Sequence, residues 1–353
     1  MTAPYRPVQW NKFKWRYDAV IAAAIGIYIL TFLKVAPLWG HPAQAVEYPI
    51  LRMRAFGTCA FILLTIILCI GPLARIDTRF LPMLYNRRHL GVMTALVALT
   101  HASDVLAWYY AFSPTDPYVA VLAANTSFGR VLGFPFELFG VFALLVLLVL
   151  AATSHDFWLA FLTAPMWKAI HMSIYFAYLA VVVHVGLGYL QTPGSNVFAS
   201  VVAASVIAVS TLHIVASRRE AAVDLSGRSA IQHEDWIDVC RLSELRDGRG
   251  RVVPLPNGER VAIFRYDGKL SAVSNVCAHQ NGPLGEGRIV DGLVTCPWHG
   301  FQYRPEDGCA PAPFTEKIAT FQLRLDGDMV RLHSLSNAAG TRVEPVRIPD
   351  IVQ

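Results

Sequence analysis

Long apolar runs occupy the first 216 residues of the chain, and short alternating ones occupy most of the rest. Runs long enough to cross a hydrocarbon core of about 30 Å, which takes about 20 helical residues, lie near 19–38, 55–74, 90–112, 131–152, 169–190 and 196–216. They predict six transmembrane helices. Beyond residue 217 stretches such as RVAIFRYD, KLSAVSNV and RIVDGLVT sit between Asn-Gly, Asp-Gly and Pro, a pattern of strands joined by tight turns. The expected fold class is therefore an all-α membrane bundle of six transmembrane helices followed by a small all-β domain. We place the helical domain at 1–216, a linker at 217–231 within SRREAAVDLSGRSAIQHED, the β domain at 232–335 and a tail at 336–353. No internal repeat or low-complexity tract is evident.

Composition agrees with a membrane protein that carries a soluble part. Apolar residues make up 54% of the chain and charged residues 16%, against roughly 25% charged in soluble domains. The net charge of +5 is modest, and its basic residues cluster at the ends of apolar runs, which argues against a nucleic-acid partner and for topology signals. Arg6, Lys12, Lys14 and Arg16 precede the first run, Arg75, Arg79, Arg87 and Arg88 lie between the second and third, Lys168 precedes the fifth, and Arg218 and Arg219 follow the sixth. The other side holds mainly Arg52, Arg54 and Arg130. The positive-inside rule then puts both termini in the cytoplasm. The first run lacks a small-residue cleavage site and reads as a retained helix. Six cysteines scattered over the chain do not form a secreted disulfide framework.

The densest chemistry lies in CAHQNGPLGEGRIVDGLVTCPWHG, residues 277–300. Each of two short loops offers one cysteine and one histidine: Cys277 with His279, and Cys296 with His299. Two thiolates can hold one iron of a [2Fe-2S] cluster while two imidazoles hold the other. Zinc also accepts two Cys and two His, but zinc fingers usually present Cys-Cys and His-His pairs, so the mixed loops favour the cluster. Cys309 reads as a small turn residue, Cys59 and Cys69 as helix core and Cys240 as a strand residue.

Histidines inside membrane spans are functional candidates by default, and several occur here: His101, His171, His184 and His213. Together they favour heme ligation over hydrogen bonding between helices. At a rise of about 1.5 Å per residue, His101 lies roughly 20 Å past Arg88 and His184 roughly 24 Å past Lys168, depths that suit one shared heme. His171 sits at the inner edge, level with His89 and His213. An ideal helix turns about 220° between His171 and His184, so both face one neighbour only if the helix bends. Asp104, one turn beyond His101, either orients its imidazole, lines a proton path or makes a polar contact between helices; Glu137 reads as an interfacial residue. Arg54, Arg130 and Lys168 are candidates to meet heme propionates.

Two resemblances follow from these motifs. Residues from about 232 to 335 resemble a Rieske [2Fe-2S] domain with both cluster loops complete, closer to the soluble ferredoxins that feed oxygenases and to the small nitrite reductase subunit than to respiratory complexes. The extra disulfide cysteines of the respiratory type are Gly282 and Trp298 here, and a hydroxyl donor is replaced by Phe301, although Tyr303 remains. Fewer hydrogen bonds to sulfur imply a potential toward the lower end of the Rieske range, about −150 mV. Residues from about 50 to 190 resemble the ferric reductase-like transmembrane domain, notably the heme-binding membrane subunit of the methionine sulfoxide reductase system, through GPLARIDTRFLPMLYNRRHLGVMTALVALTH and WKAIHMSIYFAYLAVVVH. This resemblance implies b-type heme on His101, His171 and His184, and one heme or two.

The resemblances imply an oxidoreductase or electron-transfer subunit of a bacterial-type inner (plasma) membrane. A cytoplasmic reductase or ferredoxin would reduce the cluster at an exposed His279 and His299 edge, and electrons would pass through heme to ferric iron, a periplasmic protein, dioxygen or quinone. Reverse flow toward a cytoplasmic oxygenase, and a redox sensor without turnover, are the competing readings.

Overall fold

The computed structural model describes residues 12–39, 47–154, 158, 161–162, 164–190, 196–228, 232–233, 235–298, 300–312 and 314–349. The helical part comprises α1 (Lys12–Trp39), α2 (Tyr48–Ile76), a short α3 (Leu81–Tyr85), α4 (Arg87–Phe112), α5 (Pro117–Ala123), α6 (Glu137–Ala152), α7 (Ala164–Met172), α8 (Ile174–Leu190) and α9 (Asn196–Arg228). Among the described residues five stretches are long and apolar enough to cross a membrane: Lys14–Pro37, Tyr48–Ile76, Arg87–Phe112, Pro165–Gly188 and Phe198–Leu225.

The fourth of the six expected spans is the one that differs. Its helix starts only at Glu137, because Gly133 takes a left-handed φ of 79° and Pro135 follows it. The sixteen residues of α6 reach about 24 Å, short of a full crossing. Between α7 and α8 the helix is interrupted at Ser173, whose hydroxyl donates to the Ile170 carbonyl at 2.6 Å. That interruption falls between His171 and His184 and separates the helix segments that carry them.

In the centre of the bundle Phe61, Leu64, Leu68, Ala95, Leu147, Tyr178 and Val209 pack together. Lipid, not water, is the surrounding solvent, so large apolar side chains such as Leu96, Leu145 and Phe176 remain outside at no cost. The last helix, α9, continues without a break over residues 217–228 of the segment expected as linker, the rest of which lies outside the described residues, and its Arg219 donates to the Ile76 carbonyl at the C-terminus of α2 (2.8 Å). A basic residue there satisfies a terminal carbonyl and the helix dipole.

The β domain contains β1 (Gln232–His233), β2 (Trp236–Arg241), β3 (Gly250–Pro254), β4 (Arg260–Tyr266), β5 (Lys269–Ser274), β6 (Arg288–Val290), β7 (Leu293–Thr295), β8 (Gln302–Tyr303), β9 (Thr320–Phe321), β10 (Leu323–Asp326), β11 (Met329–His333) and β12 (Val346–Arg347). All strand pairs are antiparallel, in sheets ordered β1-β2-β11-β10, β12-β5-β4-β3 with β9 beside β5, and β6-β7-β8. The described part of the segment expected as a tail, up to residue 349, packs with this domain: β12 pairs with β5, and Val346 and Ile348 pack on the core of Ile237, Val261, Ile263, Leu270, Val330 and Leu332.

Candidate functional site: an imidazole pair and two cysteine loops

The two cysteine loops are built alike. One follows β5 and the other follows β7. In the first, the Cys277 N–H donates to the Gly282 carbonyl (2.9 Å) and the Asn281 N–H to the Cys277 carbonyl (2.7 Å). In the second, Cys296 N–H donates to Phe301 (2.8 Å) and Gly300 N–H to Cys296 (3.0 Å). Each turn needs a left-handed residue four positions after its cysteine. Gly300 supplies it with φ 72° and Asn281 with φ 58°, asparagine being among the few non-glycine residues that tolerate this region. Gly282 serves packing instead: a Cβ there would stand 2.6 Å from Cys296 Sγ and 3.2 Å from Trp298 Cγ.

Cys277 and Cys296 are buried. Cys296 beside it, helped by the Tyr303 hydroxyl and opposed by burial, draws the Cys277 thiol down to about 7. Tyr303 Oη lies 3.3 Å from Cys277 Sγ, and burial and the neighbouring cysteine hold its own proton on, so it is the donor. Phe301, where the respiratory type carries a hydroxyl, stacks on the half-buried His279 ring at 4.7 Å and 9°. Two buried cysteines, Cys277 drawn toward thiolate, in loops that also carry histidine, are the donor set that a mixed Cys/His cluster takes. His299 lies outside the described residues, and among those described no three His, Cys, Asp or Glu side chains gather as a lone-ion site. Cys309 behaves as a turn residue: its N–H donates to Asp307 Oδ1 at 2.9 Å.

Within the bundle, α4 and α8 bring His101 and His184 together with ring centres 6.4 Å apart and planes at 77°. His101 Nδ1 lies 2.9 Å from the Met53 carbonyl, and His184 Nδ1 lies 2.9 Å from the Phe136 carbonyl. A carbonyl oxygen only accepts, so Nδ1 carries the proton in both rings and each Nε2 keeps its lone pair. Metal–imidazole bonds of about 2.0–2.1 Å and a ring radius of about 1.1 Å put two rings on opposite sides of one ion about 6.3 Å apart. The observed separation therefore fits one iron held between the two.

Glycine makes the room on each side. A Cβ on Gly57 would stand 3.1 Å from His101 Nδ1 and Cε1, and one on Gly140 would stand 2.8 Å from the same atoms of His184. Each carbonyl precedes its histidine by 48 positions and each glycine by 44. The α2–α4 pair and the α6–α8 pair are thus two copies of one arrangement, a repeat carried by backbone geometry that residue identities did not disclose.

His171 does not join this pair. It stacks on Trp167 at 3.8 Å, and its Nε2 lies 3.1 Å from Thr153 Oγ1. The Thr153 hydroxyl donates to the Val149 carbonyl at 2.8 Å, which leaves it to accept from Nε2. His89 pairs with Asp18 (2.9 Å), and His213 with the Tyr175 hydroxyl (3.0 Å). Asp104 does not orient His101: it is buried against Arg52, whose Nε donates to it at 2.9 Å. Glu137 is buried and accepts from Asn125.

Residues 235–322 match the Rieske [2Fe-2S] domain and residues 56–182 the ferric reductase like transmembrane component. The ferredoxin component of the alkene monooxygenase system of Xanthobacter autotrophicus is 30% identical over 97 residues, 27% of this chain and 79% of that protein. Chlorophyllide a oxygenase of Oryza sativa is 35% identical over 85 residues, 24% of this chain and 15% of its own length. Among solved structures, the ferredoxin of carbazole 1,9a-dioxygenase from Nocardioides aromaticivorans is 20% identical, with 29% of this chain and all of that one covered and a TM-score of 0.27. The chain belongs to the Rieske [2Fe-2S] family through its C-terminal domain, which one polypeptide joins to a ferric reductase like transmembrane component.

Proposed function

We propose that this chain is a membrane electron-transfer protein that takes electrons from a cytoplasmic reductase or ferredoxin at its Rieske domain. It would pass them through the helical domain to an acceptor on the far side, among which ferric iron, a protein partner, dioxygen and quinone are candidates. Cys277, His279, Cys296 and His299 would hold the [2Fe-2S] cluster, and His101 and His184 a single b-type heme. Each group, when bound, supplies a one-electron carrier.

The residues around them orient and tune. Met53 and Phe136 fix the tautomer of their histidines, as partners of metal-bound imidazoles do. Gly57 and Gly140 allow the rings to lie against helix backbone. The Tyr303 hydroxyl donates to the Cys277 sulfur, and Phe301 offers no hydrogen bond, which favours a low potential. Supporting a cytoplasmic β domain, Arg75, Arg79, Arg87, Arg88, Arg218 and Arg219 cluster at the bundle end to which it is joined.

The observation that carries this reading is the 6.4 Å imidazole pair inside a chain that also bears both Rieske loops. Inverted membrane vesicles test it. With the cytoplasmic donor supplied, the b-type absorption band should reduce in the wild type and fail to reduce in Cys277→Ser, while dithionite reduces both. Equal donor-driven reduction in Cys277→Ser would break the route. The oxygenase ferredoxin among the relatives favours a second reading, flow from quinol toward a cytoplasmic oxygenase. In that case added quinol would reduce the cluster in the same vesicles.

A further inference from the structure

Trp298 lies in the second cysteine loop, two positions after Cys296, and it belongs to two cores at once. It packs on the β-domain cluster that contains Cys277, Cys296, Phe301 and Tyr303. It also packs on a bundle cluster of Ile70, Ala74, Leu81, Leu84 and Leu90, from the end of α2 through α3 to the start of α4. The Arg87 guanidinium sits 5.8 Å from its ring centre, a cation–π distance. Beside it, Arg75 Nε is 3.6 Å from the Glu286 carboxylate.

A second attachment lies on α9. That helix has 33 residues, about 50 Å, so its last turns extend beyond a core of about 30 Å. There Glu220 and Asp224 meet Arg260 of β4, with Arg260 Nη2 and Nε at 2.8 and 3.0 Å from Asp224. Two separated contacts together with the covalent link leave little freedom to rotate or swing.

We propose that Trp298 is a positioning residue that clamps the second cysteine loop to the inner end of the bundle, so that the Rieske domain works as a fixed module. The contact facing the membrane is then the Trp298 side of the loops, while Val276, Ala278 and Gly300 stay exposed. This deepens the proposed electron route and rests on it for its functional meaning, but the docking can be measured separately.

The test uses the full chain in oriented membrane multilayers. In the wild type the electron paramagnetic resonance spectrum of the reduced cluster should change with the angle between membrane and field. The dependence should be lost in Trp298→Ala and in Arg260→Glu, and restored by Asp224→Arg combined with Arg260→Glu. Arg87→Gln, away from the ligands, covers the case in which Trp298→Ala loses the cluster. Hydrogen exchange across 78–86 reads the same contact with or without a cluster: slow in the wild type and faster in Trp298→Ala. An angle-independent wild-type spectrum, or unchanged exchange in Trp298→Ala, overturns the clamp. A wild type with no mixed Cys/His signal at all refutes the electron route instead, and exchange still decides the docking.

Discussion

A methyl group added at Gly140 tests the imidazole pair most directly. Its Cβ would stand 2.8 Å from His184 Nδ1 and Cε1, where ordinary contact begins at 3.4 Å, so the ring must retreat by about 0.6 Å. The ring is tethered at 2.9 Å to the Phe136 carbonyl, and a shift of that size strains the tether or changes the 6.4 Å gap to His101. Overpacking of this kind costs about 1–3 kcal/mol. At 1.4 kcal/mol per decade that is roughly a 5- to 150-fold loss in heme affinity. Gly57→Ala demands only about 0.3 Å and should do less. Gly186→Ala, two residues beyond His184 with nothing within 4 Å, is the control; relief of glycine's helix cost, about 0.5–1 kcal/mol, makes it neutral or stabilising. The assay is heme content per chain and the low-spin absorption spectrum of purified protein. If Gly140→Ala retains full heme with an unshifted spectrum, the glycines are not making room for a ligand pair.

Three further outcomes are expected. Tyr303→Phe removes a hydrogen bond to Cys277 worth about 1 kcal/mol, which should lower the cluster midpoint potential by roughly 40 mV in a redox titration; no shift would mean that the hydroxyl does not touch the sulfur. His171→Leu should leave heme per chain unchanged, whereas His101→Ala and His184→Ala should remove it; loss of half the heme in His171→Leu would establish a second site. Burial raises the Glu286 carboxyl, opposed by Arg75 and Arg260 and helped by Glu220, so the folded chain favours its protonated form. Its contribution is full below the ordinary carboxylate value and fades as pH rises through the raised one. The wild type should therefore gain thermal stability relative to Glu286→Gln as pH falls through the raised value, and an identical pH dependence in both chains would refute the assignment.

Much of this organisation was legible because its causes are local. Apolar run length exposed the helices, strand alternation exposed the β domain, and Cys-x-His and Cys-x-x-His announced their chemistry through side chains alone. The short α6 is hidden from the apolar pattern because run length counts Val131, Leu132 and Phe134 as helix, whereas Gly133 and Pro135 turn the backbone there. Met53 and Phe136 had no signal to give, since they act through carbonyl oxygens that every residue possesses. Gly57 and Gly140 could have been noticed as small residues on tightly packed membrane helices. Topology alone accounts for Arg75 and Arg87 in the sequence, which conceals that the same residues meet Glu286 and Trp298.

That double use of Arg75 and Arg87 bears on why the domain is held in place. Arg87 and His101 are fourteen residues apart on one helix, about 21 Å, so the imidazole pair is deep relative to the docked loop. A domain free to swing would spend most of its time farther away still, and each departure would lengthen a separation that is already large. Pinning Trp298 on α4 itself, the helix that carries His101, makes that separation a constant of the fold. The gap is not plain hydrocarbon either, since the Trp167–His171 stack and the Tyr175–His213 hydrogen bond lie on neighbouring helices. Substitutions on this face should therefore change the rate of heme reduction without changing either centre's spectrum, a separation of effects that ligand substitutions cannot produce.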